Sequence, residues 1–264
     1  MAGTSYIWLL LYAAIFGFLG AFFSLAISRW SAKKAYGIIP LKQEDIPSLS
    51  SKERIVYSTV VRISENHGIK IPEIGFYHSQ DPNAFATWAT KNSSLVAVSS
   101  GLLDMMSEQE IEAVVAHEMA HILNGDMVTM TLLSGVMNTF VIFFARIAAE
   151  FINNRTDGKL WWLGYQAVYL VLQIILGIFA SLIVMAFSRH REFKADEGSA
   201  RFVGKEKMIS ALRALDRMKE LAPKDSSKMA TMQINTQTSY GFKKLFMSHP
   251  PLTERVIYLE NLKM

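Results

Sequence analysis

The sequence predicts a predominantly helical α+β protein, integral to a membrane and carrying a small β-sheet. Three observations predict it. Residues 7–27, 127–145 and 163–187 hold no charged side chain, and a bilayer span needs about 20 mainly apolar residues. Two short runs, 73–77 and 94–99, are β-rich and read as strands. Elsewhere apolar residues recur at helical spacing, as in Ile55, Val56, Thr59, Val60 and Ile63.

In chain order, the stretch 7–27 is followed by Arg29, Lys33 and Lys34. It lacks the basic leading region of a cleaved signal peptide and is too long for its apolar core, so it reads as an anchor. Residues 51–67 open on a serine start signal and form a helix. After the two strands, Ser107-x-x-Glu110 is a capping box that opens the next helix. The stretch 127–145 holds Thr129, Thr131, Ser134, Asn138 and Thr139, so hydropathy leaves it open between a span and a buried core helix. The stretch 163–187 has the length and composition of a span. Residues 205–221 are amphipathic and end before Pro223, and 224–241 read as a mobile polar loop.

Composition excludes several classes. The 264 residues suffice for one large domain or two small ones. The absence of Cys excludes a disulfide framework, a cysteine nucleophile and thiolate metal ligands. A net charge of +4 gives no case for nucleic acid as a partner.

The helix opened by Ser107 contains His117-Glu118-Met119-Ala120-His121, which reads H-E-x-x-H. Positions four apart share one helix face, with Cβ atoms about 5–6 Å apart. Two imidazoles there can reach one zinc ion, and the glutamate between them is placed to act on water as a general base. A lone match also fits a solvated face. Here Ile111, Ala113, Val114, Val115 and Ala116 precede it. A helix apolar around most of its circumference is buried, and buried imidazoles need a partner.

One zinc class would place its third histidine six residues after His121, but that position is Met127, and Asn124 stands where that class has glycine. The third ligand therefore comes from elsewhere, and Glu192 is the candidate carboxylate. Asp196, four residues on, can accept a hydrogen bond from a ligand histidine and fix its tautomer. Spacing fits equally well a surface ion pair of Glu192 with Arg189, Arg191 or Lys194. His67, His78 and His190 lack metal-site spacing.

His121 precedes Met127 by about 9 Å along a continuous helix, and Glu192 follows Phe187 by about 7.5 Å. The two halves of the site share one side of a membrane only if both later stretches span, or neither does. The length of 163–187 favours both. Arg29, Lys33, Lys34, Arg189, Arg191 and Lys194 lie on that side, while Arg146, Arg155 and Lys159 on the other are offset by Glu150 and Asp157. The expected topology puts the N-terminus outside and the site in the cytoplasm. The expected parts are an anchor (1–34), a first catalytic part (35–126), a transmembrane hairpin (127–187) and a second catalytic part (188–264).

Further segments carry a resemblance: Asn83-Ala84-Phe85-Ala86-Thr87, Ser94-Leu95-Val96-Ala97-Val98-Ser99-Ser100-Gly101-Leu102-Leu103, Asn124-Gly125-Asp126, Arg191-Glu192-Phe193-x-Ala195-Asp196 and Ser248-His249-Pro250-Pro251-Leu252. With H-E-x-x-H they make nearly the whole chain similar to the HtpX family of membrane-bound zinc metalloproteases, relatives of the CAAX prenyl proteases. The resemblance implies a zincin-like fold with transmembrane helices. It implies His117, His121 and Glu192 as ligands of one zinc ion per subunit, and Glu118 as catalytic base. It further implies an endopeptidase of the cell inner membrane whose active site faces the cytoplasm. Such an enzyme would cut misfolded membrane or cytoplasmic proteins in quality control and stress response, alongside other membrane proteases. Two departures stand out. Trp88 occupies the position where the family has Gly, and one apolar stretch precedes the soluble part where the family has two.

The chemistry also asks for a donor to the developing oxyanion. His249 and Arg255 match the family's H-P-P-x-x-x-R pattern and are the candidates. The alternatives are a residue that fixes a helix start for His249 and a surface ion pair for Arg255. Asn83, Ala84 and Phe85 are the candidate substrate-binding residues, at an edge able to pair with an extended backbone. A turn after Asp81-Pro82 is the alternative for Asn83. Two other classes are weaker. A non-cleaving scaffold with a structural zinc has no need of Glu118 and would close with four protein ligands. A channel or transporter subunit would carry ionisable residues within its spans, and these have none.

Overall fold

The computed structural model describes residues 6–88, 90–156, 161–221 and 247–263. The loop expected at 224–241 lies outside the described residues. Along the chain run α1 (Tyr6–Tyr36), β1 (Ile39–Pro40), a 3-10 helix (Gln43–Ser48), α2 (Ser51–Asn66), β2 (Glu73–Tyr77), β3 (Ala84–Trp88) and β4 (Ser94–Ser99). They are followed by α3 (Ser100–Met105), α4 (Glu108–Asn124), α5 (Asp126–Arg155), α6 (Trp162–Val203), α7 (Lys205–Leu221) and α8 (Leu252–Asn261). The chain forms two compact units. One takes residues up to Ala26 together with Val128–Ser188; the other takes Ile27–Met127 and residues from Arg189 on.

In the first unit, α1, α5 and α6 are long and apolar enough to cross a membrane, with mean hydropathies of 2.2, 1.8 and 2.7 over their most apolar windows. Ile15, Phe16, Leu19 and Phe23 of α1 and Leu170, Ile174, Ile178 and Phe179 of α6 are exposed. Apolar surface of that extent marks contact with lipid rather than water. The polar residues that left 127–145 open between span and core have a packing role. A Cβ on Gly17 would lie 2.5 Å from Thr139 Oγ1, and Asn138 Nδ2 donates to the Gly17 carbonyl at 3.5 Å. Small and hydroxyl-bearing residues at helix contacts are how helices associate in lipid.

The second unit is built on a four-stranded sheet in the order β1-β2-β4-β3. β2 and β4 run parallel, in the register Gly75↔Ala97, and β3 lies antiparallel to β4, with Ala86 opposite Val96. β4 is buried along its whole length, and β3 forms one edge of the sheet, with β1 at the other. The α2 helix opens on Ser50, whose side chain accepts from Glu53 N. It sets Val56, Val60 and Ile63 into the core with Val96, Val98, Ile111 and Met119. Each such side chain, fully buried, contributes about 1.5–3 kcal/mol.

The α4 helix is the centre of this unit. Ser107 caps its start as expected: the Ser107 N–H donates to Glu110 Oε2 at 2.9 Å, and Ser107 Oγ accepts from Glu110 N at 3.4 Å. Ile111, Val115, Ala116, Met119 and Ile122 are fully buried, so the helix is enclosed on several faces. Its end differs from expectation. The helix does not continue through Met127, because Gly125 turns left-handed (φ 73°), a conformation that a Cβ makes costly. Lys91 Nζ donates to the freed Leu123 carbonyl at 2.6 Å.

The α6 helix, by contrast, runs unbroken to Val203 and meets α4 through small residues. A Cβ on Gly198 would lie 2.7 Å from the Cβ of Ala120. Ser199 Oγ donates to the Ala113 carbonyl at 2.7 Å, and Ala195 and Asp196 are fully buried. Glu192, seven residues before Ser199, lies on this same α6 face two turns away. That close approach is what brings a carboxylate of α6 to the histidines of α4.

Candidate metal centre

His117 and His121 leave α4 on one face and point their Nε2 atoms at each other, 3.1 Å apart. Glu192 closes the group from α6. Its Oε2 lies 3.6 Å from His117 Nε2 and its Oε1 lies 3.4 Å from His121 Nε2. All three residues are buried, and the three candidate ligand atoms lie within 4.8 Å of one another. Two imidazole nitrogens facing each other can hydrogen-bond only if one carries a proton. Glu192 Oε1 is buried and, among the described residues, makes no hydrogen bond. Convergent lone pairs with an unsatisfied carboxylate oxygen are what a cation satisfies. Zinc–nitrogen distances of about 2.0–2.1 Å let one ion touch both imidazoles, and two His with one carboxylate is a catalytic zinc set. The residues therefore fit the metal.

The outer nitrogens of both rings are also held. His117 Nδ1 lies 3.0 Å from Asp196 Oδ1. Asp196 in turn receives two bonds from Arg255 of α8: Nη2 to Oδ1 at 2.5 Å and Nε to Oδ2 at 2.7 Å. His121 Nδ1 lies 2.5 Å from Asp126 Oδ2. Burial opposes charge on His117, but the hydrogen bonds to Asp196 and Glu192 outweigh it and raise its pKa to about 9. Burial likewise opposes charge on His121, and the bond to Asp126 raises it. For Glu192 and Asp196 burial acts to raise the pKa. The imidazoles of His117, His121 and His249 around it hold Glu192 well below the carboxylate range, and the bonds from Arg255 and His117 hold Asp196 low.

A cleft of about 480 Å³ opens onto the group, lined by Asn83, Ala84, Phe85, Ala86, Glu118, Arg191, His249 and Arg255 among others. Glu118 Oε2 accepts a hydrogen bond of 2.9 Å from the Ala86 N–H, which ties α4 to the edge strand. Asn83 is fixed at the start of β3: its N–H donates to Ser99 Oγ at 2.9 Å and its carbonyl accepts from Ser99 N at 2.9 Å. His249 is exposed, with Nδ1 3.0 Å from Glu192 Oε2. Arg255 is buried behind His117, its Nη1 3.6 Å from Glu192 Oε2.

Every sequence-predicted site residue thus gathers around one centre. His67, His78 and His190 stand outside the His117–His121–Glu192 group, among the described residues. Sequence reasoning missed three features. Asp126 reaches His121 because Gly125 turns the chain back, and the Asn-Gly-Asp run after the helix was the available signal. The Ala86 N–H is a backbone donor and leaves no mark in the sequence. Arg191 reads as a surface cation but lines the cleft.

A helix-borne pair of imidazoles closed by a carboxylate from a later helix and faced by a glutamate, in a chain with membrane-spanning helices, defines a membrane-bound zincin-like metalloprotease. The sequence profile of peptidase family M48 matches residues 50–263, and the chain belongs to that family. Protease HtpX of Shewanella piezotolerans is 52% identical over 257 residues, covering 95% of this chain and 87% of that protein. Protease HtpX of Thioalkalivibrio sulfidiphilus is 47% identical over 261 residues, covering 97% and 85%. The fold is similar to the crystal structure of S. mikatae Ste24p, with a TM-score of 0.67 at 20% identity. That match takes in 95% of this chain, which spans 58% of that one.

Proposed function

We propose that this metalloprotease is a zinc-dependent endopeptidase in which His117, His121 and Glu192 hold the ion and Glu118 is the general base. The observation that carries this reading is the placement of Glu118. It lies between the two imidazoles in sequence, lines the cleft, and is not one of the three clustered ligand residues. Bound zinc lowers the pKa of its water toward 7 and polarises a carbonyl. Glu118 accepts the proton of the attacking water and delivers it to the leaving amine. The Ala86 N–H steers that carboxylate from the edge strand, and β3 offers an extended substrate a backbone to pair with.

His249, exposed beside Glu192, supplies the donor to the oxyanion. Arg255 spends two donors on Asp196 and so holds His117 in place rather than meeting substrate. Asp196 and Asp126 fix the tautomers of the two histidines. The basic residues at 29–34 and 189–194 support a cytoplasmic site on the inner membrane. A site there suits the removal of misfolded membrane or cytoplasmic proteins, alongside other membrane proteases.

The test is casein cleavage by detergent-purified protein, wild type beside Glu118→Gln, with zinc measured in both. The expected result is equal zinc, a 10²–10⁴-fold lower rate in the variant, and loss of wild-type activity on chelation with return on adding zinc. Full turnover by Glu118→Gln would remove Glu118 from its role.

A further inference from the structure

Two guanidinium groups flank the Glu192 carboxylate, and their circumstances differ. Arg255, on the Oε2 side, is bonded to Asp196 through two of its nitrogens. Arg191, on the Oε1 side, lines the cleft. Its Nε is buried and, among the described residues, has no hydrogen-bond partner. Its Nη2 lies 3.9 Å from Glu192 Oε1, beyond hydrogen-bond reach. A buried donor left unpaired is costly, and each such group in a folded protein calls for an explanation. A planar fork of donors opening on a cleft is built to take oxygen acceptors.

We infer that Arg191 is a substrate-binding residue whose guanidinium takes a main-chain carbonyl of the peptide lying along β3, next to the scissile bond. A peptide paired with an edge strand presents carbonyls on alternate residues whatever its side chains. A substrate carboxylate is the weaker fit. A backbone paired with β3 brings a carbonyl to this place in every substrate, whereas a carboxylate comes only from particular side chains. Recognition through the main chain makes this contact indifferent to substrate sequence. The inference rests on cleavage at the His117–His121–Glu192 centre, and it assigns Arg191 to binding rather than to the metal.

The experiment measures binding of fluorescein-labelled casein peptides by anisotropy to full-length, zinc-loaded Glu118→Gln protein, with and without Arg191→Gln. Zinc content and melting temperature are recorded for each. Arg191→Gln is expected to weaken binding about ten- to hundredfold, as loss of a charge-assisted hydrogen bond does. The loss should be equal for neutral and acidic peptides, with zinc unchanged. Arg191→Lys, which keeps the charge but not the fork, should fall between, and it decides the matter if the Gln variant does not fold. Unchanged binding, a loss confined to acidic peptides, or zinc loss in step with the binding loss would each overturn the inference. Turnover by Glu118→Gln itself would instead overturn the reading of the centre.

Discussion

Replacing Asp196 by Ala removes a fully buried carboxylate that Arg255 grips at 2.5 and 2.7 Å and that lies 3.0 Å from His117 Nδ1. Arg255 is itself only 7% exposed, so its guanidinium would lose its hydrogen-bonded carboxylate in the interior and keep only Glu192, 3.6 Å away. Breaking a buried pair by deleting one partner costs about 3–5 kcal/mol. In a chain of this size one kcal/mol moves the melting temperature by about 2–4 °C, so metal-free Asp196→Ala should melt about 6–20 °C below metal-free wild type. Loss of the acceptor on His117 should weaken zinc binding about 10–100-fold. The two effects separate in Asp196→Ala/Arg255→Met. No stranded charge remains there, so most of the melting temperature returns. Zinc affinity stays low, because His117 Nδ1 still has no carboxylate. Melting is followed by intrinsic fluorescence in detergent, and zinc affinity by competition with a chelating dye. A double variant that melts as low as the single one would refute the stranded-charge reasoning. Wild-type zinc affinity in Asp196→Ala would refute the role assigned to the carboxylate.

Two further predictions follow from the packing and capping of α4. Gly198→Ala places a Cβ 2.7 Å from that of Ala120. It should cost about 1–3 kcal/mol by overpacking and weaken zinc binding by pushing Glu192 away, while Ala120→Gly in the same chain restores both; a Gly198→Ala protein as stable as wild type would contradict the close approach. Glu110 is opposed by burial but held below its usual pKa by the bonds from Ser107 and Ser210. Its contribution of about 1 kcal/mol is therefore present above its unfolded-state pKa and is lost as pH falls through the lowered folded value. Glu110→Gln should melt below wild type at pH 7 and level with it under acid. A gap that stays constant down to pH 3 would disprove the linkage.

The parts of this molecule legible in the sequence are those governed by local pattern. H-E-x-x-H within an apolar run gave a buried helix, Ser107-x-x-Glu110 gave its start, and charge-free length gave the membrane-spanning helices. Glu192 is different in kind. Its spacing fitted a surface ion pair equally well, and only its resemblance to a family separated the two. The structure supplies the physical reason for its reach: a face of small residues, Ala195, Gly198 and Ser199, that lets α6 touch α4. What the sequence hid depends on backbone direction or distant contact. The break at Gly125 turns on one dihedral angle, and with it comes Asp126 at His121. The Ala86 N–H faces Glu118 because, among the described residues, no strand pairs with β3 on that side. Arg255 reads as a candidate oxyanion donor or a surface ion pair, because nothing local to α8 announces a buried carboxylate on α6.

The contact between His117 and Arg255 joins residues 138 apart in the chain. Synthesis proceeds from the N-terminus, so α4 emerges from the ribosome long before α8 does. Until residue 255 arrives, Asp196 has no counter-ion and His117 has no fixed carboxylate behind it. A chain that stops before α8 therefore keeps Asp126 on His121 but lacks the Arg255-bound carboxylate behind His117. The ion pair behind His117 thus joins α6 to the last helix described, and it closes only once residue 255 is in place.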